Sequence, residues 1–190
     1  MGNQPYIVGV GAANLDLNGA SCAPLHLRDS NPGHISLSAG GVTRNVCENL
    51  ARLGADVKLL SVVGEGVVDA NSREFCVDGV IDKRYLHQAR GAHSSIYLSI
   101  LDADGDMLVG MSDMRIVQQD LPADYLPSQK QLIQGAKVVT CDPCMGETAL
   151  LQLLDLCQPP QIVCVDPVSC AYARVVAPLI GRFHTAKPNR

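Results

Sequence analysis

Ser38-Ala39-Gly40-Gly41-Val42-Thr43-Arg44-Asn45-Val46-Cys47-Glu48-Asn49-Leu50-Ala51-Arg52-Leu53-Gly54 reads as a strand end, a double glycine and a short helix closed by Gly54. Two adjacent glycines let the backbone turn tightly and let a ligand approach it. The helix start that follows offers unpaired N–H groups and the positive end of a dipole, which first suggests a phosphate cradle. At about 100° per residue, Val42, Val46, Leu50 and Leu53 share one stripe, predicted to face inward, while Arg44, Glu48 and Arg52 take the outer face. Asn45 and Asn49 fall beside the apolar stripe. An unpaired amide there costs about 1–3 kcal/mol, so each is expected to have a partner. For Asn45, one turn from the glycines, that partner is either a ligand or a neighbouring loop.

The 190 residues are 47% hydrophobic and 18% charged, with a net charge of −4, enough chain for one sizeable core. Slight acidity and the lack of a Lys/Arg cluster argue against a nucleic-acid groove. No run reaches the ~18 apolar residues of a membrane span. Met1-Gly2-Asn3-Gln4-Pro5 has neither a basic n-region nor an apolar h-region, so a cytoplasmic location is expected and membrane partners are not. The eight cysteines read as small buried hydrophobes or free thiols. Cys141-Asp142-Pro143-Cys144 has C-x-x-C spacing, but Cys164 and Cys170 supply no matching second pair, so no zinc is expected.

Along the chain, Tyr6–Val10 is a buried strand that continues through Asn14-Leu15-Asp16-Leu17-Asn18. Gly9-x-Gly11 invites a dinucleotide-binding reading, yet Asn14 stands at the sixth position and strand-like alternation follows instead of a helix. Asn14, Asp16 and Asn18 then form a polar row at a strand end, where open α/β sheets bind ligands. A short strand over 34–38 leads into the double glycine, and Val57–Val63 is the next buried strand. A helix is predicted over 67–77. Ser94–Leu101 and Met107–Met111 form a hairpin around Asp104-Gly105. Asp113, just past it, is either a loop carboxylate or a substrate contact. Helices over 122–134, 147–156 and 171–180 then alternate with strands over 137–141, 161–166 and 184–187. This is a parallel-sheet α/β pattern in which Asp142 and Asp166 both end strands.

Asn14-Leu15-Asp16, Gly40-Gly41-x-x-x-Asn45, Asp166-Pro167 and Lys187-Pro188-Asn189 occur in an order that resembles the N-terminal portion of the ribokinase-like (PfkB) carbohydrate kinases. Asp29-Ser30-Asn31-Pro32-Gly33, Ser94-Ser95-x-Tyr97-Leu98-Ser99, Ser112-Asp113-Met114, Asp166-Pro167-Val168-Ser169 and His184-Thr185-x-Lys187-Pro188-Asn189 are similar to the branch that phosphorylates pseudouridine. The resemblance implies a parallel α/β core with a small β lid near 14–20, 34–38 and 94–111, residues 1–190 being its substrate-binding portion. It implies that Asp16, Gly41 and Asn45 hold ribose hydroxyls, with Asn14 and Gly40 shaping the pocket and Asp113 and Asp142 as further substrate contacts. Asp166, Lys187 and Asn189 fall on the nucleotide and magnesium side.

MgATP is the implied co-substrate, with a monovalent cation among the family's cofactors. A nucleoside or sugar is the implied partner, and a homodimer through the lid the implied assembly. The family's N-x-x-E acid and its Gly-Ala-Gly-Asp segment, which carries the catalytic base, are expected beyond Arg190. These 190 residues are therefore expected to be inactive alone. A second departure is Gly64-Glu65-Gly66-Val67-Val68-Asp69, where the family has Val-Gly-x-Asp-x-x-Gly. The alternatives are a non-catalytic nucleoside-binding protein, another ribokinase-like sugar kinase, or a dinucleotide-dependent oxidoreductase.

Overall fold

The computed structural model describes residues 4–65 and 81–188. The helix expected over 67–77 and the role expected of Asn189 lie outside these residues. The strands are β1 (Ile7–Val10), β2 (Asn14–Ser21), β3 (Gly33–Gly40), β4 (Val57–Val63), β5 (Leu86–Gln88), β6 (Ser95–Leu101), β7 (Met107–Asp113), β8 (Val138–Cys141), β9 (Ile162–Val165) and β10 (Thr185–Ala186). Six of them form one sheet in the order β10-β9-β8-β1-β4-β5, with every pairing parallel. The other four form a second sheet in the order β3-β2-β6-β7. The chain therefore does not run straight from β1 into Asn14. It breaks at Gly11–Ala13 and changes sheets, which removes the dinucleotide reading of Gly9 and Gly11 because no helix follows β1.

Helices α1 (Val42–Arg52), α2 (Arg115–Gln119), α3 (Tyr125–Ser128), α4 (Lys130–Gly135), α5 (Glu147–Leu156) and α6 (Cys170–Val176) complete the described part. Strand alternation sends the parallel sheet's side chains to both faces. Val8, Val10, Leu60, Val62, Val139 and Val163 pack with Leu150 and Leu153 of α5 on one face. Leu59, Val57 and Val63 pack with Cys47 of α1 on the other. Gly9 is what lets α1 lie close, since a Cβ there would sit 2.1 Å from Cys47 Sγ.

The phase of α1 differs from its apolar pattern. Thr43, Arg44 and Cys47 are buried, whereas Leu53 is 84% exposed and Asn49 is exposed. The helix is turned by about one residue, so that Thr43 and Cys47 lie over Gly9 of β1. Arg44, expected outside, is 3% exposed.

Two other helices are shorter than their patterns suggest. The helix expected over 122–134 divides at Gln129, where Ser128 Oγ donates to the Tyr125 carbonyl at 2.6 Å and competes with the next helical turn. The helix expected to end at Ile180 stops at Val176 and tightens into a 3-10 turn over Ala177–Arg182 that contains Pro178.

One side chain fixes how these pieces meet. Asp142 follows β8, is fully buried, and accepts from three backbone N–H groups. Its Oδ2 takes Ala12 N at 3.1 Å and Thr43 N at 3.2 Å, and its Oδ1 takes Cys144 N at 2.9 Å. The exit of β1, the first turn of α1 and the exit of β8 are thereby held on one carboxylate. Asp142→Asn must turn an NH2 toward at least one of these donors. The expected loss is about 1–3 kcal/mol, read as a lower urea midpoint at unchanged slope. An unchanged midpoint would show that the three bonds do not hold the strand exits together.

Candidate substrate cleft

The second sheet has two chemically different faces. Alternation puts Asn14, Asp16 and Asn18 on one side of β2 and Leu15 and Leu17 on the other. The register carries both characters across the sheet. Asp16 stands opposite Ser38 of β3 and Tyr97 of β6, and Tyr97 stands opposite Ser112 of β7. Leu17 stands opposite Leu37 and Leu98, and Leu98 opposite Met111. The polar side covers the C-terminal ends of β1, β8 and β9, where parallel sheets build their sites. A cavity of about 420 Å³ lies there. Its walls include Asn14, Asp16, Gly41, Asn45, Tyr97 and Ser112 from the lid and α1, and Cys144, Val168, Ser169 and Tyr172 from the exits of β8 and β9.

The double glycine makes room for this arrangement. A Cβ on Gly40 would sit 2.1 Å from the Asp16 carboxylate, so Gly40 lets β3 pass beside the acid. Gly41 has φ 97° and lies where a Cβ would meet the Ala12 carbonyl at 2.3 Å. Only glycine adopts that backbone without strain. The result places Asp16 and Asn45 on the same cavity.

Asp16 Oδ1 is buried and has no hydrogen-bond partner among the described residues. Burial pushes its carboxyl above the ordinary range, and the nearby Arg44 guanidinium partly opposes this. Asn45 Oδ1 accepts from Arg44 Nη1 at 3.1 Å. The same guanidinium pairs with Glu48, which is also held by Arg52 at 2.5 Å. Across the cavity, Ser169 Oγ caps α6 by accepting from Tyr172 N at 3.4 Å. Val168 adopts φ 63°, a left-handed backbone that a branched residue takes only at a cost of about 1–3 kcal/mol.

The cleft does not gather every residue expected in it. Asp142 is beneath the site with its oxygens turned to backbone N–H groups, so it supports the cleft and does not line it. Asp113 is also outside the lining. It is bound by Arg115 at 2.5 Å, which holds its carboxyl down at about 2. Asp166 accepts from Val168 N at 2.8 Å and lies 3.7 Å from Lys187 Nζ, at the exit of β9 beside the cleft. Cys141 and Cys144 are buried, and burial pushes both thiols up, which suits packing and not nucleophilic work. Among the described residues, no group of three or more His, Cys, Asp or Glu is placed to hold a metal.

Tyr97, Ser112 and Tyr172 are wall residues to which the sequence reading gave no role. Tyr97 was accessible through the period of two once β6 was aligned with β2, but that alignment needs the parallel pairing of strands far apart in sequence.

The profile of the pfkB family carbohydrate kinases matches residues 4–190. The chain belongs to the pfkB carbohydrate kinase family. It is 39% identical over 192 residues to a pseudouridine kinase of Escherichia coli strain K12, an alignment covering 100% of this chain and 60% of that protein. It is 30% identical to a candidate sugar kinase from Clostridium perfringens, whose crystal structure it matches with a TM-score of 0.78 over 99% of this chain and 59% of the other. An Arabidopsis thaliana ribokinase complexed with ribose and ATP shares the fold, with a TM-score of 0.70 at 13% identity over 97% of this chain and 72% of the other. The expected ribokinase-like α/β fold is thus the observed one. The chain spans about 60% of the length of the E. coli pseudouridine kinase.

Asp16 yields a prediction with two opposed signs. Its folded carboxyl titrates above its unfolded value, so the fold prefers the protonated acid and loses stability as pH rises through that window. Asp16→Asn is therefore expected to raise Tm at neutral pH, with the gain vanishing in acid. The same change removes a charged acceptor and should weaken binding of a polyhydroxy ligand roughly 10- to 100-fold. Wild-type binding should fade as pH drops toward the raised carboxyl value. Equal Tm and equal affinity in the variant would remove Asp16 from the site.

Proposed function

We propose that this chain is the nucleoside-binding part of a kinase that transfers the γ-phosphoryl group of MgATP to the ribose 5′-hydroxyl of pseudouridine. The observation that carries the proposal is that Asp16 and Asn45 line one cavity together with Gly41 and Asn14. A carboxylate accepts from a hydroxyl, and an amide NH2 donates to one. Two vicinal ribose hydroxyls can satisfy both at once. Similarity to a pseudouridine kinase supports the choice of nucleoside, as do Tyr97, Tyr172 and Met107 among the lining residues, which offer apolar and aromatic surface to a planar base.

Phosphoryl transfer depends chiefly on positioning and on charge stabilisation. The lid and α1 supply the positioning by fixing the ribose against the strand exits. Asp166 and Lys187 lie beside the cleft, where one carboxylate and one ammonium suit a nucleotide whose magnesium rests mainly on phosphate oxygens. Among the described residues, Asp16 is the cleft's sole carboxylate, and it is assigned to the ribose. Activation of the 5′-hydroxyl is therefore proposed to fall to a group other than the described carboxylate of this cleft.

The lid's other face supports the proposed homodimer. Ile35 is 74% and Met111 69% exposed, and Leu37, Leu98 and Val109 extend the same apolar surface. A second copy presenting the same self-complementary rows would cover it.

Calorimetry with residues 1–190 should show pseudouridine binding ahead of ribose and adenosine, without ATP-dependent phosphorylation. Asn45→Ala should weaken that binding by about tenfold or more, and Asn49→Ala should leave it unchanged. Turnover by residues 1–190 alone, or a larger effect at Asn49, would overturn these assignments. Sedimentation should show a dimer that Met111→Glu converts to monomer; a wild-type monomer would refute the lid interface.

A further inference from the structure

Arg44 breaks two rules at once. It stands in the first turn of α1, where the helix dipole disfavours a cation, and that turn contains no acid to offset it. It is also 3% exposed, and a buried guanidinium is tolerated only when paired and hydrogen-bonded. Its partners show what holds it. Glu48, one turn on, forms the ion pair, and Glu48 is itself fixed by Arg52. A further contact is with a cleft residue: Arg44 Nη1 donates to Asn45 Oδ1 at 3.1 Å.

That contact decides which way the Asn45 amide points. Arginine carries donors and no acceptor. The atom of Asn45 facing Arg44 must therefore be the oxygen, whichever way the amide would otherwise settle. The NH2 is left as the group Asn45 offers to the cleft. Asp16, across the cavity, can only accept when ionised. From this geometry we infer that Arg44 is the positioning residue of the hydroxyl-binding site, orienting Asn45 as donor and keeping Asp16 as acceptor. The inference rests on the nucleoside-binding reading given above, and it assigns the site a fixed polarity: one hydroxyl oxygen accepts from Asn45 while a hydroxyl hydrogen goes to Asp16.

The charge acts on Asp16 from one direction. Asp16 is flanked by Ser38 on β3 and by Tyr97 on β6, and its carboxylate fills the space that a Cβ on Gly40 would take. Neither neighbour supplies a cation. The cation acting on Asp16 is Arg44 from α1, and it opposes the upward push of burial on the acid. The Arg44–Glu48–Arg52 chain fixes that cation from the side away from the cleft.

Two measurements test the inference. The first follows the Asp16 side-chain carboxyl by carbon NMR through an acid titration of the ligand-free protein. The second measures pseudouridine binding by calorimetry over the same pH range. In Arg44→Gln the Asp16 midpoint should move up, the acid limb of binding should move up with it, and affinity at neutral pH should fall about tenfold. Arg44→Lys keeps the charge but not the fixed fork. It should restore the Asp16 midpoint and only part of the affinity, and it carries the test if Arg44→Gln does not fold. An Asp16 midpoint unchanged in Arg44→Gln, or already raised in Arg44→Lys, would overturn the inference. If wild type binds no pseudouridine while Arg44→Gln still moves the Asp16 midpoint, the nucleoside reading fails and the hold of Arg44 on Asp16 stands.

Discussion

The structure depends on a carboxylate that never reaches solvent. Asp142 accepts from Ala12, Thr43 and Cys144 N–H groups contributed by three separate strand and helix ends. A buried carboxylate is costly, and burial does push its carboxyl upward. The compensation is that hydrogen bonds to an ionised group are worth about 1.5–3 kcal/mol each. They also satisfy backbone donors that the strand exits would otherwise leave orphaned. Asp142 is fully buried beneath the cleft and is not part of its lining. The carboxylate that does line the cleft is Asp16, at the start of the strand that follows the Ala12 N–H held by Asp142.

The lid follows from the same economy of faces. A four-stranded sheet detached from the main one has two surfaces and a single body to cover one of them. In most half-buried sheets the apolar side faces inward. Here the polar row of Asn14, Asp16 and Asn18 is on the cleft side, and the leucine and isoleucine rows face away. That inversion suits a sheet that forms one wall of a polar cleft. It leaves Ile35, Leu37, Leu98, Val109 and Met111 exposed on the outer side, so the polar cleft wall and the exposed apolar face come from one alternation.

Much of this was legible in the sequence, and the failures share a cause. β4, β8, β9 and the 147–156 helix are continuous or periodic apolar segments, and each was placed to within a residue or so. The lid hairpin was visible from Asp104-Gly105. Asp16 and Asn45 were reachable because each is a polar residue out of place beside an apolar pattern. The phase of α1 was not, because Val42, Val46 and Leu53 are more hydrophobic than the Thr43 and Cys47 that face inward. The close approach of α1 to Gly9 is made by Thr43 and Cys47, a contact between elements that the apolar pattern does not report. Arg44 read as a surface charge for the same reason. Asp142 read as a ligand contact because a strand-end acid in an α/β sheet looks the same whether it points into a cleft or under a loop. Only the three donors across 130 and fewer residues of separation distinguish the two.

The cleft can also be located from where the chain violates its own local rules. Natural sequences agree with their folds at every level except where function imposes a cost. Arg44 puts a cation at the wrong end of a helix, Asp16 keeps a buried oxygen unpaired among the described residues, and Val168 takes a left-handed backbone. Two of these line the same cavity and the third holds Asn45, which does. Arg28 is the other non-glycine residue with positive φ in the described chain. It sits in the exposed loop between β2 and β3, where strain costs little because the loop can relax. Val168 has no such freedom, since Asp166 takes its N–H and Ser169 beside it caps α6. Strain that surrounding bonds hold in place is strain that something else requires. Its convergence with Arg44 and Asp16 on one cavity is an argument for the site that needs no relative to make it.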